Sequence, residues 1–305
     1  MTVTAHPHTH HLGYERNIRL TNGDVELIVP TEYGPRVMRY APNGGDDVLG
    51  AVSTDAQSYE TALGVWHIHG GHRLWYAPES DPGSYHPDDA PVHAEIAGTR
   101  VTVVQAVESH SGLEKAIAVE LAPRGSHVHV VHRLTNRGER AVRLAPWALT
   151  VMARGGRAIL PHPPYAPHPQ ALAPTRPLVL WPFTRMRDPR WTWGDRLIQL
   201  RHDPHARDAQ KLGAYDPQGW MAYAVGRQLF VKRHTPRPGA HADFGCNVQT
   251  FTNALILELE TLGPLVDLLP GASVEHAEDW WLFDGVTLPE DEEALHAEIV
   301  ARISP

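Results

Sequence analysis

The 305-residue chain has one cysteine, Cys246, and only three lysines, Lys115, Lys211 and Lys232, among 27 basic residues. A single cysteine excludes an internal disulfide and a cysteine-rich zinc site. No apolar run approaches the roughly 18 residues that a membrane helix needs. The first residues, MTVTAHPHTHHLGYE, lack the basic and apolar regions of a secretory signal, so a cytoplasmic protein is expected. The 35 acidic residues outnumber the basic ones and give a formal charge of −8. A dedicated nucleic-acid binder would carry a net basic stripe instead. Apolar residues make up 42 % of the chain and nine are Trp, too many for a disordered polypeptide. There is no βαβ alternation and no glycine-rich phosphate loop.

The surplus is in histidine, with 21 residues, and in strand-like patterning. Asp24 to Pro30 alternates, with Val25, Leu27 and Val29 on one face. Gly34–Tyr40, Arg100–Glu108, Glu114–Leu121, His127–Leu134 and Glu139–Met152 continue the series, separated by turn-rich stretches such as Pro42–Gly45. Arg196–Arg201, Gly219–Val225, Gln228–Arg233, Asn247–Thr252, Leu255–Thr261 and Ser273–Phe283 follow. Many strands joined by tight turns predict an all-β sandwich of antiparallel sheets. One helix is expected at the C-terminus. Pro289 opens it, Glu290 to Glu293 acidify its first turn, and Leu295, Ile299 and Ile303 recur every fourth residue. Residues 1–12 are expected to form a disordered His-rich arm, and 13–305 a single domain. The proline-rich stretch from Pro161 to Arg190 excludes a helix or central strand, and reads as an ordered loop over a sheet, either a pocket rim or a structural wrap.

Three segments could carry chemistry. Val65 to Glu79 (VWHIHGGHRLWYAPE) places His67, His69, His72, Arg73 and Trp75 within nine residues. Aromatic faces beside His and Arg suit a sugar, which offers C–H faces and hydroxyls. The histidines could also approach a metal, but no acidic or cysteine partner stands at a diagnostic spacing, so no metal and no cofactor is expected. In Asp243 to Leu262, Glu258 and Glu260 share one face of a strand. A buried carboxyl there would gain a raised pKa and become a usable base; periodicity alone favours a solvated Glu face with Leu257, Leu259 and Thr261 inward. Leu269 to Phe283 reads as a final strand carrying His276 beside Trp280 and Trp281. His127, His129 and His132 read as an exposed strand face.

Leu259-Glu260-Thr261, then Pro270-Gly271, then His276 and Trp280 or Trp281, resemble the C-terminal signature of aldose 1-epimerases, the galactose mutarotases. His69-Gly70-Gly71 with Trp75 resembles that family's His-Gly-Gly motif. Tyr33-Gly34, Val37 to Pro42 and Asp47 to Gly50 resemble its opening hairpin. The order of these motifs matches. GGHRLWYAPE and LELETLGPL are closer to an uncharacterised bacterial branch of the mutarotase-like superfamily. The resemblance implies a galactose mutarotase-like β-supersandwich and a carbohydrate ligand. It implies Glu260 as the base and His69 as a contact near the ring oxygen; His69 or His72 is the expected acid. The expected substrate contacts are Arg73 for hydroxyls or an anionic group and Trp75 as a stacking face, with Asp243 and Asn247 as further hydroxyl contacts, and Trp147 and His276 at positions that the resemblance singles out. Two departures stand out. Trp147 occupies the place of the family's general-acid His, and its substrate Arg has no counterpart. His162 or His168 could substitute for the former. The expectations are an epimerase-like enzyme or a binding protein that keeps the sugar pocket without turnover.

Overall fold

A computed structural model of the protein describes residues 3–303. Two large antiparallel sheets face each other. In spatial order, the first runs Trp191–Trp193, Leu197–Arg201, Arg157–Pro161, Trp220–Val225, Gln228–His234, Ser273–Phe283, Val128–Asn136, Leu113–Leu121, Arg100–Val104 and His93–Ala97. The second runs Leu178–Leu180, Gln210–Ala214, Val248–Thr252, Leu257–Leu262, Val142–Val151, His72–Ala77 and Arg36–Val37. The all-β sandwich expected from the alternation is therefore present. No helix of the described residues is long and apolar enough to cross a membrane.

Side-chain alternation gives each sheet two faces. Leu74, Leu212, Leu257 and Leu259 of the second sheet meet Val119, Val130, Phe230 and Trp280 of the first in the main core. Trp75, Trp147, Leu149 and Val151 point the other way and form a separate cluster with Trp66 and Ile68. The candidate site lies on that outer face. One part of the first sheet's outer face is covered by the helix Glu292–Ile303, whose Leu295, Ile299 and Ile303 pack on Ile159, Trp220 and Leu229. Burying each of these aliphatic side chains contributes about 1.5–3 kcal/mol.

Two segments differ from the sequence reading. The His-rich segment expected to be a disordered arm forms a strand, Thr4–His11, paired with Tyr14–Thr21 at the edge of a four-stranded sheet. Its backbone pairing orders it although most of its side chains are exposed or half-buried. Gly34–Tyr40 is not one strand. Arg36–Val37 pairs with His72–Ala77, whereas Arg39–Pro42 pairs with Val25–Pro30, so the chain changes sheets at Met38.

Candidate functional site

A cleft of about 240 Å³ opens on the outer face of the second sheet. Its floor follows from strand register. Arg73, Leu149 and Glu260 are neighbours across three strands, as are Lys211, Phe251, Glu258 and Val151 across four. Trp75 and Trp147 pair directly one step along. Each position repeats every second residue on its strand, so all project to the same side. Tyr59 and Trp66 reach the cleft from the ribbon Ser58–Thr61 and Gly64–His67, and Trp181 and Phe183 from the proline-rich loop. That loop is thus a rim. Gly213 admits Trp181, because a Cβ there would lie 3.3 Å from the indole and 2.4 Å from Cys246 Sγ.

Two cation–carboxylate pairs lie among these rings. Arg73 Nη1 donates to Glu258 Oε1 at 2.9 Å, and its guanidinium stands 4.7 Å from the Trp75 ring centroid. Lys211 Nζ is 3.4 Å from Glu260 Oε2 and lies between Trp147 and Trp181, 4.8 and 4.7 Å from their rings. Trp147 Nε1–H donates to Glu260 Oε2 at 2.9 Å, while buried Oε1 has no hydrogen-bond partner. Glu260 is wholly buried, directly behind two residues of the cleft wall, Trp147 and Lys211. Burial pushes its carboxyl up to about 7, with Lys211 opposing and Glu258 and Glu79 adding to the rise. On the wall itself stand Glu258 and Glu79; Glu79 accepts a hydrogen bond from the Tyr85 hydroxyl.

The structure brings together Glu260, Arg73, Trp75 and Trp147. It places the other sequence candidates elsewhere. His72 is fully buried on the opposite face of its strand, in a polar network between the two sheets. His132 Nδ1–H donates to the His276 carbonyl (2.8 Å), so its Nε2 accepts from His72 Nε2–H (2.6 Å), and His72 Nδ1 accepts from Thr150 Oγ1 (2.9 Å). Lys232 donates to Thr150 Oγ1 and pairs with Glu278 at 2.9 Å. Burial lowers the pKa of His72 and His276 well below the imidazole range, against the pull of Glu278, so the chain carries neutral rings. His276 bonds to Thr261, which also donates to Glu278. His132, read as exposed, is buried because it lies three residues from His129 and so on the other face; His127 and His129 do share the outer face, both against Asp279.

Asn247 is also fully buried; it accepts from the Asp216 N–H and donates to its carbonyl, which fixes a loop. Asp243 accepts from Gln249, the strand neighbour of Glu260, and neither Asp243 nor Gln249 lines the cleft. His69 lines a different depression, with Tyr33 and Ser53, and bonds to Asp89. Gly70 and Gly71 serve backbone crossing and not ligand approach: a Cβ on Gly70 would lie 2.2 Å from Gly50 O, and one on Gly71 2.4 Å from Val37 O. No histidine lines the cleft among the described residues. Sequence reading missed Lys211 and Trp181. The available signal was the scarcity of lysine: Lys115, Lys211 and Lys232 are all buried and paired with Glu108, Glu260 and Glu278.

No protein-family model matches the chain, and no curated protein matches its sequence. Solved structures do match its fold. A galactose mutarotase-like protein from Lactobacillus casei superimposes with a TM-score of 0.57 at 13 % identity, over 88 % of this chain and 100 % of that one. Another from Clostridium acetobutylicum gives 0.55 at 9 % identity, over 93 % and 99 %. A TPR-domain containing protein from Parabacteroides distasonis gives 0.57 at 15 % identity; the match covers 91 % of this chain and 49 % of that longer one. The chain has the galactose mutarotase-like fold.

Proposed function

We propose that the cleft binds a monosaccharide and that the Lys211–Glu260 pair moves a proton to and from it, in a reaction of the aldose 1-epimerase type. The observation that carries this reading is the pair itself, a buried carboxyl raised to about 7 beside a lysine on an aromatic wall. A general acid or base works best with a pKa near the working pH. Trp75, Trp147 and Trp181 offer flat faces for sugar C–H groups, and Arg73, Glu258 and Glu79 offer partners for hydroxyls. The cleft is small, below the ~300–1,000 Å³ of drug-sized sites, which fits one ring and no more.

Epimerisation at C1 needs one group to take the anomeric hydroxyl proton and another to protonate the ring oxygen. Glu258 on the wall takes the first role and the Lys211 ammonium the second. Ring opening then frees C1 to rotate, and reclosure returns both protons. Glu260, paired with Lys211 from behind, sets how readily the ammonium gives up that proton and takes it back. A second reading, sugar binding without turnover, is favoured by the burial of Glu260 behind Trp147 and by the lack of a histidine on the described wall.

Calorimetry over a panel of aldoses and their acidic and amino derivatives tests the binding. At least one sugar binds, and Trp181→Ala weakens it about tenfold, the value of one lost stacking contact. The proposal fails if no sugar of the panel binds, or if Trp181→Ala leaves the affinity of every binder unchanged.

A further inference from the structure

We propose that His67, His69 and Asp89 form a binding site for a divalent transition-metal ion, separate from the cleft. The alternation Trp66, His67, Ile68, His69 sends Trp66 and Ile68 into the cleft, leaving both imidazoles on the other side of the segment. There they meet Asp89, twenty residues further along the chain. His67 Nδ1 lies 2.9 Å from Asp89 Oδ2, and His69 Nε2 hydrogen-bonds to Oδ1. All three candidate ligand atoms lie within 4.8 Å of one another. Tetrahedral ligands of zinc stand about 3.3 Å apart, so a small outward shift admits the ion. Two imidazoles and one carboxylate suit zinc, cobalt or iron, and leave further coordination positions open.

His69 and Asp89 are held from behind. Arg36, fully buried, pairs with Asp88 at 2.7 Å, next to Asp89, and donates to the carbonyls of Ile68 and Gly70 on either side of His69. One guanidinium thus fixes both halves of the site. His69 also stacks on Tyr33, with ring centroids 4.6 Å apart. Such support of ligands by their surroundings is what a metal site needs. Access is present too: Asp89 is exposed, and His69 opens onto a depression of about 520 Å³ lined by Tyr14, Tyr33, Ser53 and Thr54. The other close group, His72, His132 and Glu278, offers neither access nor free ligand atoms. It is fully buried, and Lys232, Thr261 and Trp280 already occupy the Glu278 carboxylate.

The test is a cobalt(II) titration of the untagged full-length chain, followed by visible absorbance and equilibrium dialysis. To remove surface imidazoles, His6, His8, His10 and His11 are replaced together by Gln. This variant takes up one cobalt with the intense bands of a four- or five-coordinate ion, and zinc displaces it. His69→Gln and Asp89→Asn, each made in that background and in the natural chain, lose one equivalent. Thermal melting without metal confirms that each variant folds, and added zinc raises the midpoint only where His69 and Asp89 are intact. The proposal is overturned if a folded Gln background takes up no cobalt, or if uptake survives in both His69→Gln and Asp89→Asn. Sugar is absent throughout, so the outcome is independent of the cleft's function.

Discussion

Replacing Glu260 by Gln should change how stability depends on pH, by an amount the structure fixes. The folded carboxyl titrates at about 7 against an ordinary value of 4.5. Each tenfold difference in proton affinity is about 1.4 kcal/mol, so ionised Glu260 costs the folded state about 3 kcal/mol. The sign follows from the raised folded pKa. Below pH 4.5 both states hold the proton and nothing is lost. Between 4.5 and 7 the unfolded chain releases its proton while the folded protein retains it, so stability falls as pH rises, and above 7 the loss is complete. The Gln variant has no such term. Asp47 and Asp216, raised by burial to about 7 and about 6, contribute equally to both proteins and cancel. Whatever offset the substitution introduces, the wild type should lose about 3 kcal/mol relative to Glu260→Gln between pH 4.5 and 8. Urea unfolding followed by tryptophan fluorescence at pH 4.5, 6 and 8 measures this. A difference constant within about 0.5 kcal/mol would refute the raised carboxyl.

Trp147→Phe removes the N–H that favours ionised Glu260, so the stability that Trp147→Phe loses relative to the double variant Trp147→Phe/Glu260→Gln should finish falling about one pH unit higher, read by the same unfolding method. An unmoved profile contradicts the bond. Lys232→Met strands the Glu278 carboxylate in the core and should cost about 3–5 kcal/mol, with Glu278→Leu in addition restoring part of it. A single-variant cost under about 1 kcal/mol in urea would remove the pair from the account. Ile299→Ala leaves a hole under the helix worth about 2–5 kcal/mol. It lies on the far sheet face, so the affinity of any sugar found should not change.

The fold was legible where one face of a strand is apolar and the other polar, as in Arg100–Val104, or where a helix repeats every fourth residue, as in Leu295, Ile299 and Ile303. It was not legible where both faces are buried. Leu257–Leu262 is buried at every residue, so alternation could not say which side Glu260 faces. Gln210–Ala214, the strand that carries Lys211, is five residues long and contains Gln, Lys and Gly, a poor strand signature. The pairing of Lys211 with Glu260 spans 49 positions and depends on the register of three strands. Local sequence also grouped His67, His69 and His72 together. Register separated them: His72 turned into the core, and His67 and His69 met Asp89, an acidic partner no spacing rule would supply.

Under the proposed function the Lys211–Glu260 pair exchanges protons with a bound sugar. Anomer-exchange NMR on the same sugar panel tests it most directly, with binding measured in parallel. The account predicts that the wild type accelerates interconversion of at least one bound aldose. It predicts that Glu260→Gln and Lys211→Met each slow this by about 10²–10⁴-fold, the usual worth of a positioned proton-transfer group, while the Gln variant still binds the sugar. Binding without acceleration in the wild type, or equal rates in wild type and Glu260→Gln, would contradict it and leave the cleft as a binding site alone.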